Sequence, residues 1–306
     1  MRENKKKKFL IIGYGSIGRL HAKILNNFKN KKICVFTSQK KLPFKTINRS
    51  KEILSYNPDY IVVSNNTFLH EKYINLIEKN FRNKLVLVEK PLLNKFKNLK
   101  LKKNKFYVAY NLRFHPIIKF IKNKLKNKQV KYVNINCSSY LPAWRKNISY
   151  TKSVSASKKK GGGVLLELSH ELDYFNWIFG NLNLKYSINK KLSNLKIDTD
   201  DTLLLIGKVK NRNTFVNITM NFFSKVEKRE IQIESDNLSM YGDLKQNFLK
   251  IYEGNSIKTL KWPKFKIYET YKQEHLCMIK KNFKNLCNIS QGLEVLRLIE
   301  KIRNFK

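Results

Sequence analysis

Short apolar runs alternate with helically spaced apolar positions through the first third of the chain. Residues 9–12 are continuously apolar after four lysines, the pattern of a strand buried on both faces. Leu20, Ile24, Leu25 and Phe28 then recur at helical spacing. Residues 32–37, 60–64, 85–88 and 105–109 read as further strands, with a helix over 68–79 after the third strand. Alternating strand and helix predict a doubly wound parallel sheet. The pattern then changes. Residues 117–125 read as a helix, 130–137 alternate like a strand, and 140–160 are polar and loop-like. Residues 160–180 are almost wholly apolar between glycines, which predicts one buried helix. Strands follow at 184–189, 202–209, 214–222, 230–234, 238–241 and 248–252. Their short connections imply an antiparallel sheet. Helices over 268–286 and 291–304 close the chain. The predicted fold is α/β. A Rossmann-type parallel sheet spans 1–115, and an α+β domain with an open, mostly antiparallel sheet spans 116–306.

Composition narrows the class. With 306 residues, 42% hydrophobic and 12% aromatic, the chain supports real cores and is not disordered. No apolar run approaches a membrane span. The basic start is followed by only four apolar residues before Gly13, too few for a signal-peptide core, so a cytoplasmic protein is expected. Cys34, Cys137, Cys277 and Cys287 show no metal spacing and read as reduced thiols, with no metal. The net charge of +41 comes from lysines scattered through every segment beside abundant Asn, Ile, Phe and Tyr. That distribution reads as compositional drift rather than a nucleic-acid footprint, and no nucleic-acid or membrane partner is expected. Such a field would still steer anionic substrates such as sugar nucleotides.

The candidate chemistry lies at the strand ends. Gly13-Tyr14-Gly15-Ser16-Ile17-Gly18 leaves a strand and enters a helix, the context that gives a GxGxxG its meaning. Gly13 allows the tight turn, Gly15 a close approach to pyrophosphate, and Gly18 close helix–strand packing. Backbone N–H groups at Ser16 and Ile17 would meet the phosphates. An acid at the end of the second strand would hold the ribose 2′-OH of NAD. The chain instead has Thr37-Ser38-Gln39-Lys40-Lys41. Ser38 and Lys40 suit a 2′-phosphate, so the cofactor reads as NAD(P), leaning to NADP. Asn65, Asn66 and Thr67 end the third strand at the ligand crevice, with Thr67 a candidate helix cap and His70 just beyond. Glu89-Lys90-Pro91 ends the fourth strand and puts Lys90 at the crevice edge. Asn111 and Arg113 follow the fifth. Within 160–180, Glu167, His170 and Asp173 are three apart and would share one helical face. Buried ionisable groups are costly unless paired or used. Trp144 and Arg145 stand out in the polar loop as candidate substrate contacts, together with Arg113 and Asp173.

Five motifs agree in order: GYGSIGRLHA (13–22), SNNTFLH (64–70), VEKPL (88–92), YNLRFHP (110–116) and GGGVLLELSHELD (161–173). Together they resemble the Gfo/Idh/MocA family of NAD(P)-dependent oxidoreductases. The resemblance implies a Rossmann domain followed by an open antiparallel sheet flanked by helices. It makes Lys90 the group that contacts the reacting hydroxyl and the nicotinamide ribose, with Glu89 the acid before it. It makes His170 the catalytic histidine and Glu167 the carboxylate one turn earlier. Relatives commonly space that carboxylate and histidine by four; here the spacing is three. The ELSHE segment and the Tyr140-Leu141-Pro142-x-Trp144 pattern resemble a subgroup tied to sugar and surface-polysaccharide biosynthesis. The implied reaction is hydride transfer between nicotinamide and a hydroxyl-bearing carbon of a sugar or nucleotide sugar. His170 would act as general base or acid, and Lys90 would stabilise the alkoxide. The family also implies a homodimer or homotetramer paired through the exposed sheet face. The alternatives are a glycoside-processing enzyme with a recycled cofactor and a non-catalytic cofactor- or nucleic-acid-binding protein.

Overall fold

A computed structural model describes residues 6–145 and 149–305; the basic start at 1–5 lies outside them. The chain divides into two units. Residues up to Asn111 belong with Tyr268–Leu293, and Leu112–Ile267 belong with residues from Glu294 onward. The expected division at 115/116 is continuous in sequence, whereas these units are not.

The first unit opens with β1 (Lys7–Ile12), α1 (Ser16–Leu25), β2 (Lys31–Phe36), β3 (Lys45–Ile47) and α2 (Ser50–Tyr56). It continues with β4 (Tyr60–Val63), α3 (His70–Asn80), β5 (Leu85–Val88) and β6 (Lys105–Val108). The strands lie in the order β6-β5-β4-β1-β2-β3, all parallel. Leu10, Ile11 and Ile12 of β1 pair in register with Ile61, Val62 and Val63 of β4, and all six are fully buried. Burial on both faces is why these strands read as unbroken apolar runs. β3 and α2 were not expected. β3 buries only Ile47 and α2 only Ile53, so neither carries a readable apolar period. The predicted helix 68–79 starts later, at His70, after a 3₁₀ turn over Thr67–Leu69. Asn66 stands at the cap position of that turn, and Thr67 is not a side-chain cap.

The second unit begins with α4 (Pro116–Lys124), where His115 Nδ1 accepts the Ile117 N–H at 3.3 Å and proline takes the first helical position. β7 (Val130–Tyr140) runs three residues further than its alternation suggested. The expected single helix over 160–180 is two: α5 (Val164–Glu167) and α6 (His170–Phe179). The break falls at Leu168-Ser169, where the Ser169 hydroxyl donates to the Leu166 carbonyl at 2.9 Å. A serine that back-bonds in this way competes with the helical ladder. Then come β8 (Leu182–Lys190), β9 (Thr202–Val209), β10 (Phe215–Asn221), β11 (Phe223–Ser235), β12 (Leu238–Asp243), β13 (Phe248–Glu253) and β14 (Ser256–Lys261). The sheet order is β14-β13-β12-β11-β7-β10-β9-β8, antiparallel except where β7 meets β10. β14 escaped the sequence reading because nearly all its side chains are exposed. One sheet face buries Val133, Ile135, Leu203, Leu205, Val216, Ile218, Ile231 and Ile233, with α5 packed on β9 and β10.

The last segment holds α7 (Tyr268–Ile279), β15 (Cys287–Asn288) and α8 (Ile289–Arg303). α7 is shorter than expected. β15 adds to β6 as the one antiparallel strand of the first sheet, Cys287 opposite Val108. Asn288 and Gln291 exchange side-chain and backbone hydrogen bonds at 3.0 and 3.2 Å, a reciprocal cap that starts α8. A Cβ on Gly292 would fall 2.6 Å from Val108 Cγ2, so α8 sits against β6 only because that residue is glycine. No helix among the described residues is long and apolar enough to cross a membrane.

A buried ion pair anchors the second unit. Arg113 Nε donates to Asp173 Oδ2 at 2.9 Å and Arg113 Nη2 to Asp173 Oδ1 at 2.6 Å, with both residues about 1% exposed. The guanidinium lies 5.2 Å from the Trp177 ring centre, and Lys122 Nζ donates to the Trp177 carbonyl. Asp173→Ala takes the carboxylate away from a buried guanidinium and is expected to cost about 3–5 kcal/mol in urea unfolding. Arg113→Met with Asp173→Leu should regain most of that loss; equal destabilisation of the double and single variants would contradict the pair's role.

Acid should also unfold the protein early. Burial holds the His70, His115 and His275 imidazoles below their ordinary value, His115 down to about 4. As pH falls through the unfolded value of about 6.5, the unfolded chain takes these protons first. Their stabilisation is therefore complete above that pH and lost below it. The melting temperature should hold steady above neutrality and drop between about pH 6.5 and 4. His115→Asn, which keeps a capping side chain, should make that drop shallower; an unchanged slope would remove His115 from the account.

Candidate active site

The glycine turn of the first unit is shaped by what it excludes. Gly13 has φ +98°, and a Cβ there would fall 2.6 Å from the Asn65 backbone. A Cβ on Gly18 would fall 2.2 Å from the Gly13 carbonyl, which also accepts the Ser64 hydroxyl at 3.1 Å. Gly15 differs: nothing lies within 4 Å of where its Cβ would be. Ser16 and Ile17 open α1, whose first turn has no acid and no side-chain cap. Such a helix start favours an anion. Beside Gly13, both the nitrogen and the oxygen of the Asn65 side-chain amide are buried without a hydrogen-bond partner. A buried amide left unsatisfied calls for a missing partner. The open side at Gly15, the uncapped helix start and the Asn65 amide fit a dinucleotide.

At the end of β2, Ser38 and Lys40 are exposed and Thr37 Oγ1 accepts the Gln39 N–H at 3.2 Å. The structure adds Arg19, which sequence reading passed over. Arg19 Nη2 donates to Gln39 Oε1 at 3.4 Å, and Gln39 Nε2 donates to the Tyr14 carbonyl at 3.0 Å. The available signal was a basic residue directly after the third glycine.

Five of the residues expected at the cofactor are engaged inside the unit or sit on the 3₁₀ turn. His70 is buried, with Nε2 3.0 Å from the Asn65 carbonyl and Nδ1 3.2 Å from the carbonyls of Pro91 and Leu92. It lies between the turn after β4 and the turn after β5, and its neutral ring donates to one of them. Asn111 donates to Thr270 Oγ1 at 2.6 Å, and both are buried. Glu89 Oε1 meets His21 Nε2 at 2.8 Å, and Glu89 Oε2 accepts the Lys90 N–H at 3.1 Å. Asn66 is exposed and Thr67 half-buried at the start of the 3₁₀ turn. Lys90 itself is half-buried at the end of β5, and the Lys90–Pro91 peptide is cis.

In the second unit, the helix break changes the expected geometry. Glu167 ends α5 and His170 begins α6, so they do not share one continuous helical face. Ser155 Oγ donates to Glu167 Oε1 at 2.8 Å. The glycine segment before α5 is latched by the 198–200 stretch. Asp198 accepts the Lys158 N–H at 2.6 Å, the Thr199 hydroxyl donates to the Ser155 carbonyl at 3.4 Å, and Asp200 accepts the Leu165 N–H at 3.1 Å. Gly163 has φ +106°, and a Cβ there would strike Asp200 Oδ1 at 2.3 Å. A small cleft gathers Trp144 and Arg145 with Tyr150, Ser153 and Ser155. Trp144 also packs edge-on against Phe222 at 5.1 Å. Arg113 and Asp173, expected as substrate contacts, are instead buried against each other. His170 is 7% exposed, and its neighbour Glu171 pairs with Arg229 at 2.8 Å. Asp198, Thr199 and Asp200 gave no signal in sequence, because their role depends on a turn some 40 residues away in the chain.

Two family models match the chain. The oxidoreductase family with an NAD-binding Rossmann fold covers residues 7–104, and the C-terminal alpha/beta domain of the same family covers 122–304. No curated protein matches. Among solved structures, the chain is similar to the WlbA dehydrogenase of Bordetella pertussis in complex with NADH and UDP-GlcNAcA, with 14% identity, 98% and 97% of the two chains covered and a TM-score of 0.75. It is similar to UDP-N-acetylglucosamine 3-dehydrogenase GnnA of Acidithiobacillus ferrooxidans, with 15% identity, 97% of each chain and a TM-score of 0.76. It is also similar to a levoglucosan dehydrogenase in complex with NADH and levoglucosan, with 13% identity, 98% and 96% covered and a TM-score of 0.81. At these identities the likeness establishes the fold. The two family matches run through both the glycine turn and the His170 helix, and on that ground the chain belongs to the Gfo/Idh/MocA family of oxidoreductases.

Proposed function

We propose that the protein is a nicotinamide-dependent dehydrogenase or reductase acting on a hydroxyl-bearing carbon of a sugar or nucleotide sugar. The observation that carries this reading is the Gly13–Gly18 turn, open at Gly15 beside the unsatisfied Asn65 amide. The complexes of the structural neighbours with NADH and sugars agree with it. When bound, the nicotinamide supplies or takes the hydride. The turn glycines and the start of α1 hold its phosphates. His170 takes the hydroxyl proton, or returns it in the reverse direction. The Lys90 ammonium stabilises charge on the substrate oxygen. Glu167, held by Ser155, supplies a fixed carboxylate in the His170 segment, while Asp173 is committed to Arg113. Trp144 and Arg145 are assigned to the sugar or its phosphates. The reading extends to a cytoplasmic role in surface-carbohydrate biosynthesis.

The cofactor preference leans to NADP, because the end of β2 offers Ser38, Lys40 and Arg19 with no carboxylate. Titration with NADPH and NADH, followed by nicotinamide fluorescence at moderate and high salt, is the deciding experiment. NADPH should bind more tightly, and Arg19→Ala should weaken it about 10-fold while leaving NADH unchanged. In a sugar-nucleotide panel, Lys90→Ala and His170→Ala should lower turnover by about 10²–10⁴-fold. Absence of binding by either nucleotide would sink the dehydrogenase reading.

The second sheet also supports a homo-oligomer. Strand register places Tyr132, Tyr186, Leu204, Ile206 and Phe215 on one face, across β7, β8, β9 and β10, and all five are exposed. Exposed apolar side chains gathered on one sheet face mark an association surface. Light scattering should show a dimer or larger species, and Ile206→Lys should shift it to monomer; a monomeric wild type would refute the pairing.

A further inference from the structure

Four buried side chains of the first unit form a line of hydrogen bonds that the proposed reaction does not use. The Tyr60 hydroxyl, at the start of β4, lies 2.8 Å from His275 Nδ1 on α7. His275 Nε2 lies 2.8 Å from His21 Nδ1 on α1, and His21 Nε2 lies 2.8 Å from Glu89 Oε1 after β5. The other Glu89 oxygen accepts the Lys90 N–H at 3.1 Å. His21 and His275 are fully buried.

The protons along this line can be assigned. Each neutral imidazole donates at one nitrogen and accepts at the other. The Lys90 N–H finds an acceptor at Glu89 Oε2 whether or not Oε1 carries a proton, so the order is set at the other end, where the Tyr60 hydroxyl has a proton to give to His275 Nδ1. His21 then donates from Nε2 and accepts at Nδ1. His275 in turn donates from Nε2 and accepts the Tyr60 proton at Nδ1. The opposite order would need a protonated Glu89 and Tyr60 as an acceptor. Burial raises the Tyr60 hydroxyl far above its ordinary value, which keeps it a donor. Burial, and then His21, lowers His275, which keeps it neutral. The other ionisable groups facing the line are Glu274 and Tyr271 on α7 and His70 on α3. Packing alone would be met by apolar side chains, without the stake of a buried polar network.

We infer that His21 and His275 are positioning residues for Lys90: they fix the Glu89 carboxylate, and through its second oxygen the backbone of the turn that carries the lysine. His21 sits three residues after Gly18, so the helix that begins at the glycine turn also holds the Lys90 turn in place. The inference rests on the assignment of Lys90 under the proposed function, and the first readout below does not.

Histidine ring ¹H–¹⁵N spectra of the whole protein test the line, since the chain has only five histidines. Both rings should carry the proton on Nε2 at about pH 7.5, and His275 should stay neutral as the pH falls through the ordinary value of about 6.5. A proton on Nδ1 of either ring, or titration of His275 near about 6.5, overturns it. The second readout is the NADH dissociation constant by nicotinamide fluorescence. His275→Leu should raise it about 10-fold by displacing Lys90. His275→Gln, which can accept and donate at the same two places, should recover to within about 3-fold of wild type. Lys90→Ala combined with His275→Leu should bind no more weakly than Lys90→Ala alone, because both act through one group. Additive losses would overturn the positioning role. Should His275→Leu fail to fold, Tyr60→Phe, which removes one hydroxyl, goes through the same cycle with the same expectation. A wild type that binds neither NADPH nor NADH refutes the cofactor reading and leaves the spectral test of the line standing.

Discussion

Backbone contact at the carboxyl ends of β1 and β4 is the constraint on which the first unit depends. Gly13 meets the Asn65 backbone, and Gly18 meets the Gly13 carbonyl, at distances no side chain tolerates. Those two approaches set where α1 starts, and therefore where its N–H groups point. Everything else at this end is arranged around them. Ser64 bonds the Gly13 carbonyl, and His70 lies between Asn65 and the turn of Pro91. Gly15 alone is left with open space, which separates its job from that of the other two glycines.

The second unit reaches a comparable order by different means. Its glycine segment is fixed by carboxylates that accept backbone N–H groups, at Asp198 and Asp200. Asp201 does the same for Leu192 and Ser193, and its acidity is raised by those hydrogen bonds despite burial. A loop rich in lysine thus owes its shape to three acids in a short stretch. The net charge of +41 hides this, because the acids are few and placed where the backbone needs them.

Much of the fold was legible in the sequence, for reasons specific to each element. β1, β4 and β5 show as unbroken aliphatic runs because both their faces are covered. β7 and β10 show as alternation because one face is covered. β3, α2 and β15 bury one side chain each and β14 none, and no period survives in so few positions. The division of the 160–180 segment was invisible, because Leu168 and Ser169 sit comfortably in a helix and only the hydroxyl bond to Leu166 shows otherwise. Site residues divide in the same way. The glycines and Lys90 announce themselves by local spacing and by their place at strand ends. Arg113 and Asp173 look like exposed chemistry until a partner 60 residues distant cancels them. His21 and Glu89 are 68 residues apart and likewise carry no mutual signal.

The late return of the chain to the first sheet bears on how the protein is made. β6 has β5 on one side, and on the other only β15, which ends at Asn288. During synthesis the N-terminal strands emerge first, yet the second edge of β6 stays bare until nearly the whole chain has left the ribosome. An unpaired strand edge is a template for the wrong neighbour. Lys105 at the start of β6, with Lys102 and Lys103 just before it, puts charge at one end of that edge while it waits, and like charge there keeps nascent chains apart.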